Sequence, residues 1–472
     1  MGPAELPFLG AAMLAELVRR REVSSEEVVT AFLSRIETIN PTLSAFITVC
    51  GEAALRAARR ADRELAQGKY RGPLHGLPFA VKDQLWTKGM RTTNGSRLFA
   101  DFVPARDATV VARLRAAGAI LLGKLNMMEI AFGPTLHPPF GVPRNPWDLR
   151  CTTGGSSSGS AAAVAARLAP VTLGADTGGS IRLPAAFCGV VGLKPTWGRV
   201  SGYGMMGVCE RFDCAGPLGA TASDCALVLQ AIAGLDPRDP RTSRKPVPDY
   251  RQALDKGVRG TRIGVVKELM SSRLLHPAVR DLVNEALDAL QKLGARVDRV
   301  SIPLIEHASA VYVAIAEPEA AARYRPYLVT RGEEMDVLPR RRLIAASLIP
   351  AAATRRALRV AERLRAQVDE ALNRVDVLAS ATTPTAASSI PTAALIRSKE
   401  EAWLTVGGGR SLFTNPFNVT GHPALSVPCG FTRENLPAGL QLIGRHYREE
   451  DVLRVAGTYQ SATDWHQRRP PV

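Results

Sequence analysis

Ile263-Gly-Val-Val266 and Arg296-Val-Asp-Arg-Val300 are two short apolar-leaning runs with a helical pattern between them. In that interval Val279, Leu282, Val283, Leu287 and Leu290 recur at helical spacing, and Gly294 stands just past the last of them, where a helix would stop. Strand, helix and strand in succession argue for an α/β fold with a covered sheet. Moving upstream, Leu77 to Val81, Ala119 to Leu122 and Val171 to Leu173 are further β-like runs alternating with helical stretches. Residues 1–70 read instead as a helical N-terminal region. Ser24-x-x-Glu27 is a capping box there, and Val28, Val29, Phe32, Ile36 and Ile39 follow on one face. Asp236 to Arg259, rich in Pro, Arg and Asp, reads as a surface connection. With no repeat and no low-complexity linker, residues 1–472 are expected to form a single domain.

Of the 472 residues, 46% are apolar and 22% charged, the balance of a globular chain with an ample core. The apolar run from Ala161 to Leu173 is interrupted by Arg167 and Pro170, so no membrane span is expected. MGPAELPFLG lacks the pattern of a signal peptide, which points to the cytoplasm. The net charge of +16 is mostly arginine, only ten residues being lysine. Its densest cluster, Arg340 to Arg365, alternates with Leu358, Ala361, Leu364, Val368 and Leu372 at helical spacing and reads as a solvated helix face. No nucleic-acid partner is expected, because no known module or aromatic-interleaved basic motif accompanies the charge. Seven cysteines and seven histidines lie scattered without metal-ligand spacing, so neither a metal nor another cofactor is expected.

The chemistry concentrates between Thr152 and Leu183. Thr152-Thr-Gly-Gly-Ser-Ser-Ser-Gly-Ser160 opens an alanine-rich helix, and Ala175-Asp-Thr-Gly-Gly-Ser-Ile-Arg-Leu-Pro184 follows an apolar strand. Gly178-Gly179 before Ser180 would leave backbone amides free to stabilise a developing oxyanion. A serine nucleophile needs a base. Lys82 runs directly off the apolar stretch Leu77 to Val81, and burial there would favour the neutral amine that can accept a proton. Two other patterns read as chance. Gly155-x-Ser157-x-Gly159 lacks the strand that a nucleophile elbow requires. Gly118 to Lys124 has phosphate-loop spacing, but its interior, Ala-Ile-Leu-Leu, reads as a buried strand and Leu125 replaces the required hydroxyl.

Together these segments resemble the amidase-signature family. The resemblance runs from about residue 10 to 465 and is densest in Leu74 to Asp83, Gly123 to Met127, Arg144 to Asp148, Gly154 to Ser160 and Ala175 to Thr196. Asn418 to Pro428 and Leu436 to Gly444 extend it. It implies a single large α/β domain in which a mixed, twisted sheet is covered by helices on both faces. It also implies Ser180 as nucleophile, Ser156 as a bridging serine after a cis peptide bond, and Lys82 as base. The backbone amides of Thr177, Gly178, Gly179 and Ser180 would form the oxyanion hole. Ser158 departs from the family's usual glycine and fits only if its φ is negative.

The implied activity is hydrolysis of a C–N acyl bond in a linear amide, with aryl amides, carbamates (urethanes) and esters as related substrates and a small-molecule amide or carbamate as the binding partner. A homodimer is compatible with this. The principal rival is the glutamine-hydrolysing subunit of a tRNA-dependent amidotransferase. Against it, Ser411 stands where the acid that grips glutamine would fall, and Leu343 to Arg355 lacks the tyrosines of such subunits. A catalytically dead scaffold is a remote alternative that the complete Lys-Ser-Ser set opposes. The region 300–412 is the expected variable part of the substrate pocket, and Met127, Met128, Phe132, Met205, Met206, Phe212 and Leu412 are its apolar candidates.

Overall fold

The computed structural model describes residues 2–390 and 409–472; the remainder of the 300–412 region falls outside the described residues. Eleven strands form one sheet in the order β1-β3-β2-β6-β8-β7-β12-β13-β11-β9-β10. In chain order they are β1 (Phe46–Val49), β2 (Pro78–Lys82), β3 (Ile120–Leu125), β6 (Val171–Asp176), β7 (Val191–Lys194), β8 (Cys214–Gly219), β9 (Arg262–Val266), β10 (Arg296–Val300), β11 (Val377–Ala381), β12 (Ala424–Phe431) and β13 (Pro437–Ile443). β4 (Arg144–Asn145) and β5 (Asp148–Thr152) make a separate two-stranded ribbon.

The sheet is mixed. β2 runs parallel to β3 and β6, and β9 to β10 and β11, whereas the pairs between β6 and β13 are antiparallel. Every residue of β2, β3, β6, β8, β11 and β13 is buried, the signature of strands covered by helices on both faces. The Ile263 to Val300 unit folds as its pattern indicates. The helix Pro277–Lys292 buries Val279, Val283, Leu287 and Leu290, and β9 and β10 pair in parallel with Ile263 opposite Val297.

Two readings need correction. The N-terminal region is not wholly helical, since Phe46–Val49 adds an edge strand antiparallel to β3. Four residues between long helices are too short to show a period. The Asp236 to Arg259 segment is not merely a solvated connection. Asp236 and Asp239 are buried, Asp236 accepting from Ser201 Oγ at 2.8 Å and Asp239 from the Gly202 amide at 2.7 Å. The arginine cluster behaves as read only in part. Along the helix Ala351–Arg374, Leu364, Val368 and Leu372 are buried while Arg355, Arg356, Arg359 and Arg363 are exposed. Arg340 and Arg342, however, lie on the separate helix Val337–Ser347 and are half-buried, Arg342 paired with Glu317 at 2.6 Å. Among the described residues no helix is long and apolar enough to cross a membrane.

Candidate active site

β2 and β6 lie side by side and parallel, so their C-terminal ends open at the same edge of the sheet. Lys82 is the last residue of β2 and is completely buried. Its Nζ lies 2.7 Å from Ser156 Oγ and 3.5 Å from the Ala175 carbonyl. Burial pushes its pKa down to about 7, against the opposing pull of the Asp176 and Asp213 carboxylates. Ser156 follows a cis peptide bond with Gly155. Ser158 opens the helix Ser158–Ala165, a position that suits a side chain, and its Oγ donates to the Gly154 carbonyl at 2.9 Å.

Ser180 sits in the turn between β6 and the helix Arg182–Cys188 and is half-buried, so it remains open to the outside. The Ser157 amide donates to the Ser180 carbonyl at 3.2 Å, which docks the two serine loops against each other. Asp176, at the end of β6, organises the turn. It accepts from the amides of Gly179 at 2.7 Å and Ile181 at 3.1 Å, from the Arg182 guanidinium at 3.0 Å, and from Asn418 Nδ2 at 2.8 Å. Arg182 and Asn418 hold the Asp176 carboxyl well below the usual range despite its burial. The Gly179 amide is therefore committed to Asp176 and is not one of the open donors the motif suggests. The amides of Thr177, Gly178 and Ser180 have no such partner among the described residues. Gly179 has φ +126°, and a Cβ there would lie 2.0 Å from Thr414 Oγ1, so only glycine fits.

Three supporting residues escaped the motif reading. Thr414 Oγ1 donates to the Gly178 carbonyl at 2.8 Å. Tyr312 lies over Gly178, where an added Cβ would stand 2.9 Å from its ring. Asp213, just before β8, accepts from Thr177 Oγ1 at 2.5 Å and from the Val208 and Cys209 amides at 2.9 and 3.1 Å. Burial raises its carboxyl to about 6. Thr414 stands in a Phe-Thr pair, and Asp213 immediately precedes an apolar strand, a position as suspicious as that of Lys82. Nothing in the sequence marks Tyr312.

The apolar candidates divide. Met127 and Met128 line a cleft with Pro138, Val142, Gly154 and Ile390, and Met128 packs on Gly155. Phe212 stacks on Tyr312 with ring centroids 5.7 Å apart, and so stands behind the Gly178 loop. Phe132 is used in packing instead. It is buried in a second core with Leu98, Ile130, Tyr324 and Leu343, and Arg342 caps its ring. Met205 and Met206 are half-buried in a loop held to Leu85 and Gln84, and Leu412 is half-buried against the main core. The two chance motifs have structural roles. Ser157 is completely buried and bonded to the Ala175 backbone, and Lys124 is a buried strand residue.

Comparison with known proteins identifies the family of the chain. The amidase family model matches residues 27–453. The A-subunit of the glutamyl-tRNA(Gln) amidotransferase of Moorella thermoacetica is 43% identical, with 99% of each chain covered. A solved structure described as a vestigial protein complex that reveals the origins of an s-triazine catabolic enzyme superposes with a TM-score of 0.89 at 33% identity, covering 96% of this chain and 98% of that one. The peptide amidase of Stenotrophomonas maltophilia superposes with a TM-score of 0.84 at 32% identity, covering 98% of both chains. The chain belongs to the amidase family, the amidase-signature enzymes that hydrolyse C–N bonds.

Proposed function

We propose that the protein cleaves a carboxamide through an acyl-enzyme on Ser180, and that its substrate is glutamine, hydrolysed to supply ammonia within an amidotransferase assembly. The observation that carries the mechanism is the 2.7 Å approach of a fully buried lysine amine to Ser156 Oγ. Neutral Lys82 takes a proton from Ser156 Oγ, Ser156 takes one from Ser180 Oγ, and Ser180 attacks the amide carbon. The amides of Thr177, Gly178 and Ser180 hold the oxyanion that forms. As the C–N bond breaks, the proton returns through Ser156 to the departing nitrogen, which would otherwise leave as a strongly basic anion. Water then repeats the cycle on the ester and frees Ser180.

The glutamine reading rests on relatives at 40–43% identity over nearly their whole length, which bear the name of an amidotransferase component. It also implies a partner protein to receive the ammonia. A second reading is a self-sufficient hydrolase of bulky aryl or alkyl amides or of carbamates. Two observations favour it: Ser411 brings a neutral side chain where an acid would grip the α-amino group of glutamine, and Met127 and Met128 give the neighbouring cleft an apolar wall. Ammonia release from glutamine, compared with turnover of an anilide and aryl carbamate panel, separates the two. Faster turnover of glutamine than of any panel member supports the first. Anilide or carbamate turnover with no ammonia from glutamine, even beside the remaining components of a relative's amidotransferase, overturns it in favour of the second.

A further inference from the structure

A second cluster of reactive side chains lies away from the serines. His422 immediately precedes the Pro423 that leads into β12, and His446 follows β13. These strands pair antiparallel with Ala424 opposite Ile443, which brings the two histidines together with ring centroids 3.9 Å apart. Asp369 reaches them from the helix Ala351–Arg374, its Oδ1 2.9 Å from His422 Nε2. One ligand atom from each of the three residues falls within 4.8 Å of the others.

Four features make this more than a hydrogen-bonded pair. The 2.9 Å between carboxylate oxygen and imidazole nitrogen is a few tenths of an ångström short of the roughly 3.3–3.6 Å between tetrahedral ligands at bonds of about 2.0–2.2 Å, so a small cation needs only a slight spreading of the pair. His422 Nδ1 is held 2.9 Å from Thr420 Oγ1, the kind of outer contact that fixes a metal-binding imidazole. His446 Nε2 is buried with no hydrogen-bond partner among the described residues, a costly state that a bound ion would relieve. Finally, Asp369 is half-exposed and gives the cluster a path to solvent. Arg365 and Lys194 are the cations facing the cluster and oppose an ion there.

We propose that Asp369, His422 and His446 bind one divalent cation of the zinc type, tying the helix Ala351–Arg374 to the ends of β12 and β13. Two imidazoles and one carboxylate select such a cation over calcium or magnesium, which prefer all-oxygen sites. Three protein ligands leave water to complete the shell. The sequence holds no hint of this, because the three residues are separated by whole elements and match no metal-binding spacing.

The test uses the untagged full-length chain, stripped with a chelator and titrated calorimetrically with Zn2+, then with Co2+ for its visible absorption. The expected result is one equivalent bound, cobalt bands of a nitrogen- and oxygen-ligated site, and a raised melting temperature. Asp369→Asn and His446→Ala should each weaken Zn2+ at least about tenfold and lose the cobalt bands. His446→Gln, which keeps the volume, serves if the alanine variant misfolds. Failure of the native chain to bind either ion overturns the proposal, and so does unchanged binding by the variants, which would place the ion elsewhere.

Discussion

Lys82 and Lys124 end or nearly end neighbouring parallel strands, and both are completely buried, yet their surroundings differ in kind. In the register of β2 and β3, Val81 stands opposite Lys124 and Leu125 opposite Lys82. The lysines are thus one step out of phase and leave opposite faces of the sheet. Lys124 reaches the Leu85 carbonyl and the hydroxyls of Thr87 at 3.0 Å and Thr92 at 2.9 Å, with the Asp83 carboxylate at 3.7 Å. An ammonium has three protons to donate, and here each has an acceptor. Among the described residues Lys82 has one close partner, Ser156 Oγ, and one distant carbonyl. Burial lowers both, Lys124 to about 8 and Lys82 to about 7, so burial alone does not distinguish a base. The partners do: Lys124 has an acceptor for each proton of a charged ammonium, whereas Lys82 does not, which suits the base we propose.

The sharpest way to break this contrast is to compare the consequences of losing each lysine. Lys82→Ala should lower kcat/KM by roughly 10²–10⁴-fold while circular dichroism and melting stay near those of the native protein. Lys82→Arg should be nearly as damaging, because a guanidinium does not deprotonate in this range. Lys124→Met should do the reverse. It leaves Asp83 buried without its cation and should cost about 3–5 kcal/mol of stability, read from denaturant unfolding, while the folded fraction keeps most of its activity. Equal activity losses from the two lysines would erase the distinction.

Smaller effects refine it. Ser156→Ala should lower turnover less than Lys82→Ala if a water can bridge Lys82 to Ser180. The acidic limb of the kcat/KM profile should fall near pH 7, since only neutral Lys82 accepts a proton and its neutral fraction rises with pH through that value. Asp213→Asn should move that limb to lower pH. The Asp213 carboxylate favours charged Lys82, so removing its charge makes the neutral amine easier to reach. A purely structural loss would lower the rate without moving the limb.

Much of this was legible in the residues. The strand and helix alternation from residue 75 onward, the capping box at Ser24 and the end of the helix near Gly294 all rest on local patterns that tertiary packing reinforced. The serine stretches and Lys82 were conspicuous because glycine pairs and a lysine on an apolar strand are locally odd. What stayed hidden depends on distant chain segments. Phe46–Val49 becomes a strand only because β3 offers it an edge. The commitment of the Gly179 amide to Asp176 requires a turn whose shape Arg182, Thr414 and Asn418 fix, two of them from far along the chain. Phe132 is indistinguishable in sequence from a pocket residue, and only its neighbours assign it to a core.

Activation of Ser180 by neutral Lys82 through Ser156 can be tested without knowing the substrate. The measurement is the rate at which a fluorophosphonate labels the protein as a function of pH, followed by intact mass, with the modified residue located by digestion. Labelling is expected at Ser180, at a rate that rises through an apparent pKa near 7, with near-complete loss of labelling in Lys82→Arg. Labelling of the Lys82→Arg protein at the native rate with the native pH profile, or modification at Ser157 in place of Ser180, would contradict that mechanism.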